Sequence, residues 1–195
     1  MTVAADDAQL AELAAAIKTW GRELGFQQVG IADIDLSTHE ARLLDWLAGG
    51  FHGEMDYMAR HGLKRGRPAE LLPGTVRAIA ARMDYLPPAA ATSWSVLNQP
   101  ELGYVSRYAL GRDYHKVLRQ RLQRLAERIA AAIGPFGYRV FTDSAPVLEK
   151  ALAEKAGLGW IGKHSNLLDR RIGSWFFLGE IYVDLPLPAD RSTGT

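Results

Sequence analysis

Asp143 is the residue whose setting most directly suggests chemistry. It lies in YRVFTDSAPVLEK, between a predicted strand over 138–142 and a predicted helix over 146–156. Ligands bind beside the C-terminal ends of strands in open α/β sheets, so this carboxyl could point into a cavity. It could equally be the N-cap of the helix, accepting backbone N–H bonds that would lower its pKa. The residues alone leave both interpretations open.

Two glycine motifs overlap in the segment Gly157–Lys163. The first matches G-x-G-x-x-G, but a dinucleotide fingerprint follows a strand and opens a helix, whereas here a predicted helix precedes it. The second resembles a phosphate loop, but His164 replaces the Ser or Thr that would ligate magnesium. We favour a helix C-cap glycine followed by a turn. A nucleotide-binding enzyme that uses Gly157–Lys163 remains an alternative.

The composition excludes several classes of site. The chain has 195 residues and no cysteine, so it cannot form a disulfide, a thiolate zinc site or a cysteine-ligated iron–sulfur cluster. Its five histidines show no HExxH spacing and no carboxylate set beside them, which argues against a metal site built by the protein. The absence of a G-x-S-x-G elbow gives a serine hydrolase little weight.

Positive charge is concentrated in the middle of the chain. Residues 60–139 hold 14 Lys and Arg against 5 Asp and Glu, although the whole chain has a net charge of +1. Such a field suits a polyanionic partner, and arginines on solvated helix faces are the alternative. Within this region Arg65 lies in a glycine-flanked loop, and Tyr114 and His115 follow in GRDYH. Loops can bring such groups to a phosphate or an amide-rich ligand.

The N-terminus and the hydropathy pattern predict a cytoplasmic protein with no membrane partner. The first 20 residues contain Asp6, Asp7 and Glu12 and lack a basic segment followed by an apolar one. Elsewhere there is no run of about 18 apolar residues, the minimum for a membrane-spanning helix.

The periodicity predicts strands that alternate with helices and then a pair of β runs. This order predicts an α/β or α+β fold, with a mixed β-sheet flanked by helices. Loops are expected at 62–74 and 89–103, and prolines 87 and 88 should end the second strand. The helices are expected at 8–24, 40–47, 113–133 and 146–156, the last opened by Asp143 or Ser144. The strands are expected at 26–32, 76–85, 138–142, 160–168 and 174–183, the last two joined through 169–173.

Six segments, in order along residues 8–188, resemble the N-terminal half of the epoxyqueuosine reductases. Their joint occurrence is specific to that family, since none of them is a short generic motif. They are WGRELGFQQVGIAD, FHGEMDYMARH, RPAELLPGT, YVSRYALGRDYHK, FTDSAPVLEKALAEKAGLGWIGKHSNLL and GSWFFLGEIYVDLPLP.

The resemblance implies a cobalamin-binding catalytic domain over 1–188, followed by a linker-like tail over 189–195. It implies an oxidoreductase that reduces epoxyqueuosine to queuosine at the wobble position of tRNA, with the anticodon loop and an electron donor as partners. In the family a ferredoxin-like domain with two [4Fe–4S] clusters follows. This chain has no cysteine ligands for them, so we expect that domain to be absent from it, and activity of the isolated chain is left open. A non-catalytic RNA-binding module is a further alternative.

The same resemblance implies roles for five residues. Asp143 falls on the family's general acid and also on a cofactor contact. Arg65, Ser106, Leu167 and Leu178 fall on positions that contact cobalamin. Opening an epoxide leaves an alkoxide that must be protonated, and we expect an apolar pocket to raise the pKa of Asp143 for that task.

Overall fold

The two longest helices form where apolar residues recur at helical spacing behind an aspartate cap. The computed structural model describes residues 6–86 and 91–192. Asp6 accepts a hydrogen bond from the backbone N–H of Gln9 at the start of the first helix, and Asp113 accepts one from that of His115 at the start of the longest. The helices are α1 Asp7–Glu23, α2 Ser37–Ala48, α3 Tyr57–Arg60, α4 Pro68–Leu71, α5 Ser93–Leu97, α6 Tyr114–Ile133 and α7 Glu149–Lys155, with 3₁₀ turns at Gly62–Arg65 and Arg107–Ala109.

The strands form one four-stranded sheet and one small two-stranded sheet. The larger sheet has the order β1–β2–β6–β3, and β4 pairs with β5 in the smaller one. All of these pairings are antiparallel. The strands are β1 Gln28–Asp33, β2 Arg77–Asp84, β3 Tyr138–Phe141, β4 Trp160–Ile161, β5 Leu167–Leu168 and β6 Phe176–Val183.

The large sheet is covered by helices on both of its faces. On one face α1 and α6 pack over a core that contains the fully buried stripe Leu118, Leu122, Leu125 and Ile129. On the other face α7 packs over a second core that includes Leu152. Residues of β2 are therefore buried on both sides, which explains why Ala78 and Ala80 are as inaccessible as Ile79.

The predicted fold class is confirmed, and the sheet differs from the expected mixed one in its strand directions. An alternation of strands and helices shows that a helix connects one strand to the next. It does not determine at which end of the sheet the next strand begins. Here Asp33 at the end of β1 pairs with Arg77 at the start of β2. The helical segment between them therefore leaves and returns at the same end of the sheet, which makes the two strands antiparallel.

The prediction that Asp143 or Ser144 opens the helix before residue 156 is wrong. Helix α7 begins at Glu149, and its N-cap, Leu148, makes no side-chain cap hydrogen bond. Asp143 has a left-handed backbone conformation (φ +58°), and its side chain contacts α6 instead. The N-cap interpretation of Asp143 is thereby excluded, because its carboxylate makes no bond to the amides of α7.

Of three other expectations, two differ from the structure in detail and one is confirmed. The β run over 160–168 folds back on itself as β4 and β5, and the later run becomes β6 of the large sheet. The loop expected at 62–74 contains a 3₁₀ turn and α4, with Pro68 in the first turn of α4. Gly157 follows α7 at φ +75°, which confirms the helix C-cap interpretation. The predicted strand end at prolines 87 and 88 lies outside the described residues, as does 193–195.

Within the described residues, none of the helices combines the length and the apolar character needed to cross a lipid bilayer.

A strand glycine should be required for the contact between β1 and α7. A Cβ added at Gly30 would lie 2.1 Å from the backbone oxygen of Ala156, at the end of α7. We predict that Gly30→Ala lowers the free energy of unfolding by at least about 2 kcal/mol, because backbone must move to admit one methyl group. Urea denaturation measures this. Gly103→Ala, whose new Cβ has no neighbour within 4 Å, is the matched control; equal effects of the two variants would contradict the prediction.

Candidate active site

Asp143 lies on the turn after β3, where hydrogen bonds from two elements hold it. Its Oδ2 accepts a hydrogen bond of 2.5 Å from the hydroxyl of Tyr114 and lies 3.2 Å from Nε2 of His115. Its backbone N–H donates to Oε1 of Glu149 at 2.7 Å. A residue other than glycine rarely adopts the left-handed conformation found here, and these bonds stabilise it.

The first turn of α6 supplies both groups that contact Oδ2. The Asp113 Oδ1 that accepts the backbone N–H of His115 also lies 3.0 Å from Nδ1 of the imidazole. The His115 ring therefore lies between two carboxylates. Tyr114 is fixed by stacking on Phe177 of β6, with ring centroids 4.0 Å apart and ring planes 4° from parallel. The N-cap and the stacking together determine where the phenol and the imidazole meet Asp143.

A cavity of about 300 Å³ opens beside this cluster. Leu167 and Leu178, two of the predicted cofactor contacts, both line it, together with Tyr114. Leu178 lies on β6 and Leu167 on β5, so the cavity is formed where the two sheets meet. The structure thus places two of the predicted residues in one cavity, and Tyr114 connects that cavity to Asp143.

A second cavity, of about 490 Å³, shares Tyr85 with the first. Its lining is largely apolar and comes from the segment before α6, including Tyr104, Val105 and Leu110. Ser106 follows Val105 at the start of a 3₁₀ turn, where its carbonyl accepts the N–H of Ala109. Ser106 is thus next to lining residues without being one itself, and its role as a cofactor contact stays a prediction.

Arg65 lies away from both cavities. The residue is buried, and its guanidinium donates to the backbone carbonyls of Tyr57 and Met58, each at 3.3 Å. These bonds tie the 3₁₀ turn that contains Arg65 to helix α3. Burial lowers the pKa of this guanidinium from its ordinary value. The structure gives Arg65 a packing role, and its proposed contact with a cofactor stays a prediction.

The Asp143 carboxyl is more exposed than the sequence analysis expected. Its side chain is 57% accessible, so it lies at the rim of the cavity and not inside an apolar pocket. Tyr114 and Leu178 belong to the apolar part of the cavity wall, and Asp143 reaches it only through the Tyr114 hydroxyl. Covering this rim would require a group from outside the described residues, such as a ligand.

Two glutamates that the sequence analysis missed lie behind Asp143. Glu180 of β6 is fully buried and neither of its carboxyl oxygens has a hydrogen-bond partner within the described residues. Burial raises its pKa well above the ordinary value, and the charges of Glu149 and Asp143 add to this. Burial also raises the pKa of Glu149 to about 7, against the opposing effect of the Asp143 backbone N–H. A glutamate inside the apolar run FFLGEIYV was the signal in the sequence.

In the segment Gly157–Lys163, several backbone N–H groups that a bound phosphate would need are already hydrogen-bonded within the protein. The N–H groups of Gly157 and Leu158 bond to carbonyls of α7, as expected at a helix end. The N–H of Ile161 donates to the Glu154 carboxylate, and that of Gly162 to the carbonyl of Asn166. A phosphate loop uses such groups to hold the nucleotide, so these bonds argue against the nucleotide-binding alternative.

The raised pKa of Glu149 should make stability depend on pH. The folded state binds this proton more tightly than the unfolded chain, where a glutamate titrates near about 4.3. Proton binding by Glu149 therefore contributes fully to the free energy of unfolding below about pH 4.3, and this contribution is lost as pH rises through about 7. We predict that Glu149→Gln, which cannot ionise, reduces the fall in unfolding free energy between about pH 4 and pH 8 by about 2 kcal/mol.

Urea titrations at several pH values measure this fall in the parent and in the variant. The amide oxygen that Glu149→Gln introduces can still accept the N–H of Asp143, so the local hydrogen bond is retained. Glu12→Gln, on the exposed side of α1, is the control and should leave the pH dependence unchanged. A Glu149→Gln profile parallel to that of the parent would contradict the prediction.

A family model and the curated relatives agree on one family. A family model described as Epoxyqueuosine reductase QueG, DUF1730 matches residues 65–144. The epoxyqueuosine reductase of Pseudomonas aeruginosa is 67% identical over 180 residues, which are 92% of this chain and 50% of that protein.

Solved structures show the same fold. An epoxyqueuosine reductase in complex with a tRNA-Tyr epoxyqueuosine-modified stem loop matches with a TM-score of 0.78 at 22% identity, over 94% of this chain and 48% of that one. A reductive dehalogenase, whose structure suggests a mechanism for B12-dependent dehalogenation, matches with a TM-score of 0.58 at 18% identity, over 100% of this chain and 22% of that one. The chain spans about half the length of the curated relatives it matches. Over that half, it belongs to the epoxyqueuosine reductase family.

Proposed function

We propose that this chain is the cobalamin-binding part of a tRNA epoxyqueuosine reductase, with Asp143 as the general acid. The observation that carries the proposal is the position of Asp143, bonded through Tyr114 to a cavity lined by Leu167 and Leu178. A relative that is 67% identical over 180 residues bears this enzyme's name, and a solved relative holds a modified tRNA stem loop. The similar fold of a B12-dependent dehalogenase supports cobalamin as the cofactor.

The cavities have the chemical character that a corrin requires. Aromatic and aliphatic side chains line part of each wall, and Tyr85 lies between them, so the flat face of a corrin could contact both. Lys150, Asn166 and Ser174 in the first cavity could bond the amide groups at the corrin edge. Leu167 and Leu178 would hold it from the side of the two sheets, and Val105, next to Ser106, from the segment before α6. When bound, cobalamin supplies the electrons for the reduction. An electron donor outside this chain would in turn supply the cofactor.

Asp143 would hand a proton to the oxygen that leaves the epoxide. An alkoxide is a poor leaving group, and a carboxylic acid at hydrogen-bond distance removes that barrier by protonating it as the C–O bond breaks. The Tyr114 hydroxyl holds Oδ2 in place. Burial, followed by its bond to Asp143, raises the pKa of Tyr114 above its ordinary value, so the phenol remains a hydrogen-bond donor. Tyr114 therefore orients the carboxyl and does not compete with it as the acid.

The exposed position of Asp143 at the rim of the cavity suits a substrate that arrives from solvent. A base of the anticodon loop that is splayed out of its stack could cover the carboxyl and exclude water from it. The surrounding apolar surface includes Tyr104, Tyr108 and Leu110, each more than 40% exposed. Stacking of bases on such aromatic side chains is a common mode of RNA recognition. In the family the sequence resembles, a ferredoxin-like domain carries the iron–sulfur clusters, and we propose that such a domain supplies the electrons.

The role of Asp143 is tested in a reductase of full family length that contains this segment and is loaded with cobalamin. We predict that Asp143→Asn lowers the turnover of an epoxyqueuosine tRNA stem loop by at least about 10²-fold, because general acids contribute about 10² to 10⁴ to rate. Its visible cobalamin spectrum should stay like that of the parent. Asp45→Asn, on the exposed side of α2, is the matched control.

Turnover of Asp143→Asn close to that of the parent would refute the acid role. A cobalamin spectrum unchanged on adding this protein would refute the cofactor assignment and favour a plain RNA-binding module instead. Tight binding of ATP or NAD that is lost in Gly162→Val would revive the nucleotide-binding alternative.

The basic side of α6 is the part of the chain we expect to contact tRNA phosphates. Arg119 is exposed there, whereas Arg121 donates to the carbonyl of Gly25 and contacts the sulfur of Met83. We predict that Arg119→Glu weakens tRNA binding and lowers the slope of log affinity against log salt by about 1. Filter binding at several salt concentrations measures both. Arg42→Glu on α2 is the control, and an unchanged salt slope for Arg119→Glu would exclude this side of α6.

A further inference from the structure

Reduction of an epoxide to an alkene needs more protons than one carboxyl holds. The epoxide takes up two electrons and two protons, both C–O bonds break, a C=C bond forms, and the oxygen leaves as water. Under the proposed function the electrons come from cobalamin, and Asp143 gives one proton to the oxygen. A carboxylic acid carries a single proton, so Asp143 must be protonated again before water can leave.

We infer that His115 returns a proton to Asp143 during turnover, and that Asp113 keeps the imidazole in the orientation this transfer needs. The inference rests on the proposed function and extends it, because neither residue has a role assigned there. His115 acts through Asp143 and does not need to touch the substrate.

The distances allow the transfer in one step. Nε2 of His115 lies 3.2 Å from Oδ2 of Asp143, and Nδ1 lies 3.0 Å from Oδ1 of Asp113. A protonated imidazole has an N–H on each nitrogen, so it donates to both carboxylates at once. When the Nε2 proton moves to Asp143, the ring becomes neutral and keeps the Nδ1 proton on Asp113. The His115 side chain is 45% exposed, so water can protonate Nε2 again.

Asp113 sets this order of events because one of its oxygens has two functions. Oδ1 accepts the backbone N–H of His115 at 3.0 Å, which caps α6, and the same oxygen faces Nδ1 of the ring. The hydrogen bond at one nitrogen of a histidine decides which tautomer the neutral ring adopts. A proton held at Nδ1 leaves Nε2, the nitrogen that faces Asp143, free to gain and lose protons.

The other groups around Asp143 are poorer candidates for this relay. The Tyr114 hydroxyl contacts the same oxygen, but it would have to become a phenolate, which its partly buried setting and the neighbouring Asp143 carboxyl disfavour. Glu149 contacts the backbone N–H of Asp143 and not its carboxyl. Oδ1 of Asp143 makes no hydrogen bond with the described residues, so it is the oxygen that can face a substrate. Rotation of the carboxyl about Cβ–Cγ exchanges the oxygen that received the proton from His115 with the oxygen that faces the substrate.

The ionisable groups that face His115 come from several elements. Asp113 and Lys116 belong to the start of α6, and their own side chains lie 3.9 Å apart. Asp143 faces the ring from the turn after β3, and Glu149 acts on it from α7. The surroundings of the ring therefore contain three carboxyl groups and one ammonium group, and the two nearest carboxylates, those of Asp113 and Asp143, each lie within hydrogen-bond distance of one ring nitrogen.

The relay is tested by chemical rescue in the full-length, cobalamin-loaded reductase. We predict that His115→Ala lowers kcat by about 10²-fold with little change in KM for the tRNA stem loop, since acid–base groups contribute at least this much. Added imidazole should restore turnover in proportion to its concentration. It should not restore Asp143→Asn, where no carboxyl remains to be protonated. His61→Ala, at the end of α3, is the control variant and should turn over like the parent.

A normal rate in His115→Ala, or a loss that imidazole does not rescue, overturns the relay while leaving the proposed function intact. The proposed function fails separately, if the parent enzyme does not reduce the stem loop or if Asp143→Asn is normal. A second measurement needs no activity. Nitrogen-15 NMR of the folded chain should show neutral His115 protonated at Nδ1, and Asp113→Ala should shift protons to Nε2. An Nε2–H tautomer in the parent would also overturn the inference.

Discussion

The hydrogen bond between the Tyr114 hydroxyl and Oδ2 of Asp143 connects the parts of the molecule from which the site is built. Tyr114 begins α6 and Asp143 follows β3, so the bond joins residues 29 positions apart. It can form only if α6 is placed correctly over the sheet, and the parallel stacking of Tyr114 on Phe177 fixes that placement. Because the Asp143 backbone is in a sparsely populated conformation, the bond also helps to stabilise the turn itself.

Several acidic groups converge on this point, and their mutual repulsion explains how they divide their tasks. Asp143, Glu149 and Glu180 form a series from the surface to the core, and each carboxylate makes it harder for the next to ionise. Of these three, the outermost, Asp143, has the imidazole and hydroxyl donors on its carboxyl. Burial makes ionisation of the two inner carboxyls unfavourable, whereas the Asp143 carboxyl lies at the surface, where a proton donor such as His115 can meet it.

Much of the scaffold was predictable from sequence because it depends on local patterns. The stripe Leu118 to Ile129 and the cap at Asp113 define α6, and the structure confirms both. Contacts between distant segments were not predictable in this way. Residues 28 to 33 do not reveal that they pair antiparallel with β2, since that depends on where the intervening helices return. Nor does the TDS context of Asp143 distinguish a helix cap from a left-handed turn, because Asp is favoured in both.

The exposure of Asp143 affects the strength of the hydrogen bonds that hold its carboxyl. Hydrogen bonds to an exposed carboxylate are weakened by competition with water, and they become stronger when water is excluded. The carboxyl is more than half exposed in this chain, and the adjoining cavity is lined in part by aromatic and aliphatic side chains. A flat ligand that covers the rim would remove water from Oδ1 and leave Tyr114 and His115 bonded to Oδ2. Exclusion of water would strengthen those two hydrogen bonds, so the substrate itself would fix the orientation in which Asp143 acts.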